Sequence, residues 1–206
     1  MLFASSSYEI LNLSQDARSL ALNNTTSVYD GQFLCNNPAA ISMRSVGMSY
    51  SYLYFPANIH LGEIHNIKKK NKGIRSAKIL LLNYGTIIDS KTEEKSYAFD
   101  ALIEIGYKRE LKNIISVGIS GGYLLSSITG FNSQLLFTKM GARSRLLKQR
   151  MGIGLSLENM GIPINSYTNV NEPIPAIFTK ISLLTRQLSI IFGLSVLNCL
   201  RAIFNL

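Results

Sequence analysis

Residues 36–55 read NNPAAISMRSVGMSYSYLYF, and their second half alternates between two kinds of side chain. Met48, Tyr50, Tyr52 and Tyr54 occupy one parity, whereas the other parity begins with one glycine and two serines. This alternation predicts a β-strand, because successive side chains of a strand point to opposite faces of its sheet. The predicted strand has an aromatic, apolar face and a second face of very small side chains.

The same alternation recurs along the rest of the chain. It is strongest in four stretches whose second parity is small or polar: SYAFDALIEIGY, NIISVGISGGYL, RMGIGLSLEN and LSIIFGLSVLN. Weaker alternation covers residues 58–67, 75–84, 133–144 and 176–184. Together with the first strand, these patterns predict about nine strands.

The composition narrows the class of protein. The chain has 206 residues, which predicts a single domain over 1–206. Hydrophobic residues make up 47% of it and charged residues only 16%, against roughly 25% charged residues in an average soluble domain. No stretch approaches the ~20 apolar residues of a membrane-spanning helix. Such a chain is expected to have either a deep all-β core or a transmembrane barrel.

The small second face favours the barrel. A soluble β-sandwich normally exposes larger polar side chains, whereas glycine and serine suit a crowded interior that packs against an internal segment. Tyrosines near the predicted strand ends fit the aromatic girdles of membrane barrels, although strand propensity alone also explains them. We therefore expect an all-β, antiparallel transmembrane β-barrel with a short N-terminal helical segment inside it.

Connection lengths point the same way, because outer-membrane barrels have short turns at one end and longer loops at the other. The short turns are predicted to be KREL, SRLLKQ and TRQ, and the long loops YGTIIDSKTEEK and NMGIPINSYTNVNEPIP. The first hairpins, at FPAN and KKKNKG, do not follow this rule.

The net charge of +9 raises the question of nucleic-acid binding. The densest basic cluster, at residues 68–72, has no aromatic residues between its charges, and the other basic residues are scattered. Because nucleic-acid-binding proteins usually concentrate charge on one face, we predict no nucleic-acid partner and expect these charges to be solvated or to lie at a membrane surface.

The sequence predicts neither an enzyme nor a cofactor. His60 and His65 fall on opposite parities of one strand, so they are not expected to share a metal ion. No serine has a histidine and an acid at a spacing that supports catalysis.

Cys35 and Cys199 are expected to be two buried thiols, with a disulfide as the alternative.

The N-terminal part predicts a short helix at residues 14–22, which ends at Asn23 and Asn24. Isolated helices this short are marginal in water, so we expect residues 5–40 to form an internal segment and 41–206 to form the strands. Arg18 is then expected to meet a carboxylate that faces the lumen. The two candidate carboxylates are Asp100 and Glu104. Their alternative partners are inward arginines or lysines of neighbouring strands.

The stretch LNLSQDARSLALNNTTSVYDGQFLCNNPAAIS resembles the PorV/PorQ family of outer-membrane barrels, which are related to the FadL-type channels. The likeness consists of an Ala-Arg helix, a turn at Asn23-Asn24, an Asp-containing spacer and Asn37-Pro38-Ala39 before the first strand. The later stretches LNYGTI, GYKREL, VGISGGYL, GLSLENMGIPINSY and PAIFTKISL follow in the family's order. The family's usual turn is Gly-Gly rather than Asn-Asn.

The resemblance implies a location in the bacterial outer membrane, contact with its lipid, and a part in type IX-like protein secretion or surface attachment. Secreted cargo or other secretion proteins are the implied partners. Two alternatives stay open: a FadL-like passive channel for hydrophobic molecules, and a soluble secreted β-protein that binds lipid or protein. Family barrels have about fourteen strands, and bacterial barrels have even numbers. Nine strands therefore predict a shortened member, a fragment, or a barrel completed by a partner.

Overall fold

Each strand of the sheet pairs with the next one along the chain. In the computed structural model, the described part of the chain forms one antiparallel sheet of nine strands in sequence order. The strands are β1 (Gly47–Phe55), β2 (Ile59–Lys70), β3 (Gly73–Ile88), β4 (Lys95–Lys112), β5 (Ile115–Ile128), β6 (Phe131–Leu146), β7 (Met151–Asn165), β8 (Ile177–Thr185) and β9 (Ile191–Ser195). Three short 3₁₀ helices are Glu9–Leu11, Pro38–Ala40 and Pro56–Asn58.

The structure describes only part of the chain. The described residues are 8–13, 37–42, 46–71, 73–88, 95–112, 114–146, 151–167, 174, 177–185 and 191–195. The predicted helix at 14–22 lies outside them, as do Arg18, Asn23, Asn24, Cys35 and Cys199. None of the described helices is long and apolar enough to cross a membrane.

The predicted all-β class is confirmed, and each predicted strand corresponds to an observed one. Several predicted loops are wrong, because the strands extend past their most apolar stretches. KREL lies inside β4, and all of NMGIPIN, residues 159–165, belongs to β7. Hairpin pairing explains the extension, since each added pair of residues satisfies backbone groups whatever their side chains are.

Because the strands are longer than predicted, KKKNKG is no longer an exception to the rule that short turns lie at one end of the sheet. The lysines at 68–70 belong to β2, and only residues 71–72 connect it to β3. This connection lies at the same end of the sheet as those at 113–114, 147–150 and 186–190. We call it the basic end, because the exposed residues there include Lys68, Lys69, Lys70, Arg75 and Arg109.

The two faces of the sheet differ in chemistry. The inner face is the one on which residues 8–11 and 37–42 pack, and its side chains are largely buried. The outer face carries the exposed large apolar side chains. Tyr50 is 87% exposed and Ile105 is 65% exposed. The observed faces match the alternation read from the sequence, with Tyr50, Tyr52 and Tyr54 exposed on β1.

An apolar cluster holds the first segment against the inner face. Tyr8, Ile10 and Leu11 are buried, and they pack against leucines and a phenylalanine of the strands. Those strand residues are Leu61, Leu80, Leu82, Leu102, Leu124, Leu135 and Phe137. This cluster occupies one part of the inner face, and charged side chains occupy the rest.

Candidate functional site

Charged side chains are buried on the inner face in equal numbers of each sign, among the residues whose side chains the structure describes. All eight are at most 7% exposed. The acids are Glu63, Asp100, Glu104 and Glu158, and the bases are Lys78, Lys108, Lys139 and Arg143. Buried charges are costly unless they are paired and hydrogen-bonded. The balance of signs therefore favours an internal network over an interior selective for one charge.

Glu104 of β4 is the centre of this network and is fully buried. Its Oε2 lies 3.1 Å from Lys78 Nζ of β3 and 3.3 Å from Lys139 Nζ of β6. The hydroxyl of Ser120 donates a hydrogen bond of 2.7 Å to its Oε1. One carboxylate thus joins four strands through three different side chains.

Asp100, four residues earlier on β4, binds hydroxyl groups instead of cations. Tyr84 donates a hydrogen bond of 2.8 Å to Asp100 Oδ2, and Ser126 donates to Oδ1. Tyr167 in turn donates to the Ser126 hydroxyl. Asp100 thereby ties β3 and β5 to the chain that follows β7.

The Asn37-Pro38-Ala39 turn is fixed to the inner face through polar groups. Asn37 Oδ1 accepts a hydrogen bond of 2.9 Å from the Ala39 backbone N–H, which caps the short helix. Asn37 Nδ2 donates to the carbonyl groups of Ala142, at 3.4 Å, and Leu155, at 3.3 Å. Those two residues are register partners on β6 and β7, so one amide bridges both strands.

Two side chains from the sheet complete the attachment. The Ser116 hydroxyl donates a hydrogen bond of 3.1 Å to the Ala39 carbonyl, and Lys108 Nζ donates one of 2.6 Å to the Ile41 carbonyl. Lys108 is 1% exposed, and Glu110 lies 3.8 Å from its ammonium group. A hydrogen bond that involves a charged group is stronger than a neutral one, so the Lys108 bond should hold the turn more strongly than the Ser116 bond.

Close approach of the turn requires glycine on the sheet. Gly118 and Gly141 are register partners on β5 and β6 and lie directly under residues 37–39. A Cβ on Gly118 would lie 2.5 Å from the Ala39 nitrogen and 2.7 Å from the Pro38 carbonyl oxygen. A Cβ on Gly141 would meet the Asn37 side chain. The small residues of the second face therefore provide the docking surface of the 37–39 turn.

The positions of several of these residues were predicted from the sequence. Asn37, Pro38 and Ala39 form a buried turn before β1, and Asp100 and Glu104 lie on the inner face. The expected ion pair of Arg18 falls on a residue outside the described part of the chain, whereas the strands supply described partners to both carboxylates. For Glu104 these are lysines, as in the alternative read from the sequence.

Sequence reasoning named inward arginines or lysines only as a class and did not identify Lys78, Lys108 and Lys139. Lys108 shares the parity of Gly106 on β4, but β3 and β6 carry small residues on both parities, so parity alone does not mark the other two lysines. They look like surface residues when read singly.

The structure separates the two histidines. His60 and His65 lie on opposite faces of β2: His65 is buried, and His60 contacts Tyr52 and Asn58. Within the described ranges, no three histidine, cysteine or acidic side chains are grouped closely enough to hold a metal ion. What the inner face offers chemically is anchorage of the N-terminal segment through hydrogen bonds and apolar contacts. No protein-family model matches this chain, and no curated protein matches it either.

Proposed function

We propose that this chain is a non-enzymatic β-barrel of the bacterial outer membrane. One observation carries the proposal: the described sheet buries its charged side chains on the inner face and exposes an apolar outer face. A water-soluble domain has the opposite arrangement, since large apolar side chains are normally buried and charged ones exposed. Lipid around the outer face would explain both why its apolar side chains are exposed and why the charged side chains lie on the inner face.

The height of the apolar band supports this. From Tyr97 to Tyr107, the outward residues of β4 are Tyr, Phe, Ala, Ile, Ile and Tyr, without a charge. Ten residues of strand rise about 33 Å, which becomes about 25 Å at the usual tilt of membrane strands. That equals the usual apolar band, and a tyrosine stands at each border as in aromatic girdles.

The ends of the sheet supply an orientation. The connections at the basic end are all short, whereas the other end has two short connections, at 56–58 and 129–130, and the two longest, at 89–94 and 166–176. Outer-membrane barrels have short turns on the periplasmic side and longer loops outside the cell. The basic end is therefore assigned to the periplasm.

For the biological role, we propose a component of a type IX-like secretion or surface-attachment system. The support is the resemblance to the PorV/PorQ family in the Asn-Pro-Ala element, together with the way that element docks on the inner face. An inner face covered in part by its own N-terminal segment suits a barrel that binds secreted cargo or other secretion proteins at its ends.

The two alternatives fit the faces less well. A FadL-like passive channel would carry hydrophobic molecules past eight buried charged side chains, which is an unfavourable path for them. A soluble β-protein would leave the outer face in water, where contiguous apolar patches of this extent are rare on monomers.

Refolding tests the membrane proposal. The protein is diluted from urea into plain buffer, into detergent micelles and into lipid vesicles, and β-structure and dispersion are measured in each. We expect a folded, dispersed protein only with detergent or lipid. A stable folded monomer in plain buffer would contradict the proposal.

A second experiment separates secretion from transport. Vesicles that contain the folded protein are supplied with a fluorescent fatty acid, and uptake is compared with that of empty vesicles. Deletion of the gene in its own host is scored for loss of surface-attached cargo. Secretion predicts loss of cargo without fatty-acid uptake, whereas uptake with normal cargo display would support the channel.

A further inference from the structure

A groove with a volume of about 1210 Å³ crosses the outer face from β2 to β6. Its middle follows one row of register partners, which are Ala77, Ile105, Gly121 and Thr138. The neighbouring row towards the centre of the sheet carries larger side chains, including Ile103, Tyr123 and Leu136. Three of the four residues in the first row are smaller than their neighbours in the second row, and Ile105 stands between Ala77 and Gly121.

Basic residues stand at one end of this groove. Lys68 and Arg75 are register partners on β2 and β3, both are exposed, and both line the groove. Among the described residues, neither lies within ion-pair distance of a carboxylate. The described outer face of β2 to β6 carries no aspartate or glutamate. The groove therefore has a mostly apolar lining and, at one end, two positive charges with no carboxylate beside them among the described residues.

We propose that this groove binds an anionic phospholipid, with the phosphate between Lys68 and Arg75 and an acyl chain along the groove. The site rests on the proposed function, because it presumes that the outer face meets a bilayer. Lys68 and Arg75 lie at the basic end, which was assigned to the periplasm. The lipid leaflet on that side of an outer membrane consists of phospholipid, which selects this occupant.

The dimensions agree with a lipid tail. Four intervals between neighbouring strands separate β2 from β6, which makes about 19 Å at the usual spacing. Each leaflet contributes about 15 Å of hydrocarbon, so a tilted acyl chain fits this length.

A second groove makes room for another chain. Its volume is about 430 Å³, it shares Tyr107 and Ile119 with the first groove, and its rim carries Arg109. The two chains of one lipid can thus lie on either side of Tyr107 and Ile119, near three cations.

Gly121 allows the groove to be filled without disturbing the sheet. A Cβ at this position would have its nearest heavy atom, the Phe137 carbonyl oxygen, at 3.7 Å, which is an ordinary contact. Gly121→Leu therefore places a side chain in the groove. Gly62→Leu is the matched control, since Gly62 lies on the outer parity of β2 and outside both grooves, and a Cβ at that position would have nothing within 4 Å.

The test uses vesicles of equimolar phosphatidylglycerol and phosphatidylcholine. Each variant is folded into them and extracted in mild detergent, and the lipid that remains bound is quantified by native mass spectrometry. We expect wild type and Gly62→Leu to retain phosphatidylglycerol preferentially, and Gly121→Leu to lose it. Lys68→Gln with Arg75→Gln should reduce the preference by about fivefold for each charge removed.

Two results would overturn the lipid site while leaving the membrane proposal intact. One is inserted wild type that retains both lipids equally. The other is Gly121→Leu that retains as much phosphatidylglycerol as Gly62→Leu. Failure of wild type to enter the vesicles would instead overturn the membrane proposal, and the lipid site with it.

Discussion

Gly118 and Gly141 face each other across β5 and β6 where the Asn37-Pro38-Ala39 turn touches the sheet. Glycine normally weakens a strand, because it has no side chain to pack and loses more conformational freedom on folding. Here its missing Cβ leaves room for backbone atoms of the turn. Two positions that are unfavourable for the strand are thereby favourable for docking.

Gly118→Val should reveal this role. Valine suits a strand, but its Cβ would collide with backbone atoms of Pro38 and Ala39 and should destabilise the protein by about 1–3 kcal/mol. Urea unfolding in detergent measures the change, and proteolysis reports release of the N-terminal segment. Gly62→Val, with open space around it, should have little effect. Equal stability of the two variants would refute the docking account.

The second prediction at the scale of single residues concerns Glu104. Glu104→Gln leaves the ammonium groups of Lys78 and Lys139 buried without their shared counter-charge, which should cost about 3–5 kcal/mol. The change is measured as a shift of the urea midpoint in detergent. Lys70→Gln is the control, because Lys70 is exposed at the basic end, and removal of a single surface charge changes stability little. A Glu104→Gln midpoint that matches the control would contradict the network.

At the scale of elements, the N-terminal segment is attached at two described places. Residues 8–11 pack on the apolar cluster, and residues 37–42 are held by Asn37, Ser116 and Lys108. The second attachment does not need the first, so the 37–42 turn should remain docked when the earlier residues are removed.

Deletion of residues 5–30 should therefore give a protein that still folds into lipid but has a less filled interior. We expect higher ion conductance in a planar bilayer than for the full chain, because water can enter where Tyr8, Ile10 and Leu11 were packed. Lys108→Met in the full chain, which loosens only the turn, provides a comparison. Unchanged conductance of the correctly inserted deletion variant would count against an internal segment.

The sequence predicted the strands and their faces, because alternation depends only on the period of two and survives errors at the strand ends. It did not predict strand length, since backbone pairing continues through basic residues such as 68–70 and 108–109. Nor did it predict the partners of Glu104, because Lys78 and Lys139 meet it only through the register of four strands. The 37–39 turn was predictable, but its carbonyl partners on β6 and β7 were not.

At the scale of the molecule, the inner and outer faces depend on each other. The inner face balances its charges within the described residues and is covered in part by the N-terminal segment, so it gains little from outside partners. The outer face carries charge mainly near strand ends and exposes large apolar side chains between them. This arrangement is stable only if the surroundings of the outer face are apolar, which is the central claim.

Leu81 gives the most direct measurement of that claim. It is 55% exposed on the outer face of β3, pairs with Ala101 in the middle of the apolar band, and lies outside both grooves. Ile115, 41% exposed on the same face at the first position of β5, is the matched control. The free energy of unfolding from phospholipid vesicles is measured for Leu81→Arg and Ile115→Arg. We predict a loss of about 2–4 kcal/mol for Leu81→Arg and about 0–1 kcal/mol for Ile115→Arg. Equal, near-zero losses at both positions, as expected of side chains that face water, would contradict the account.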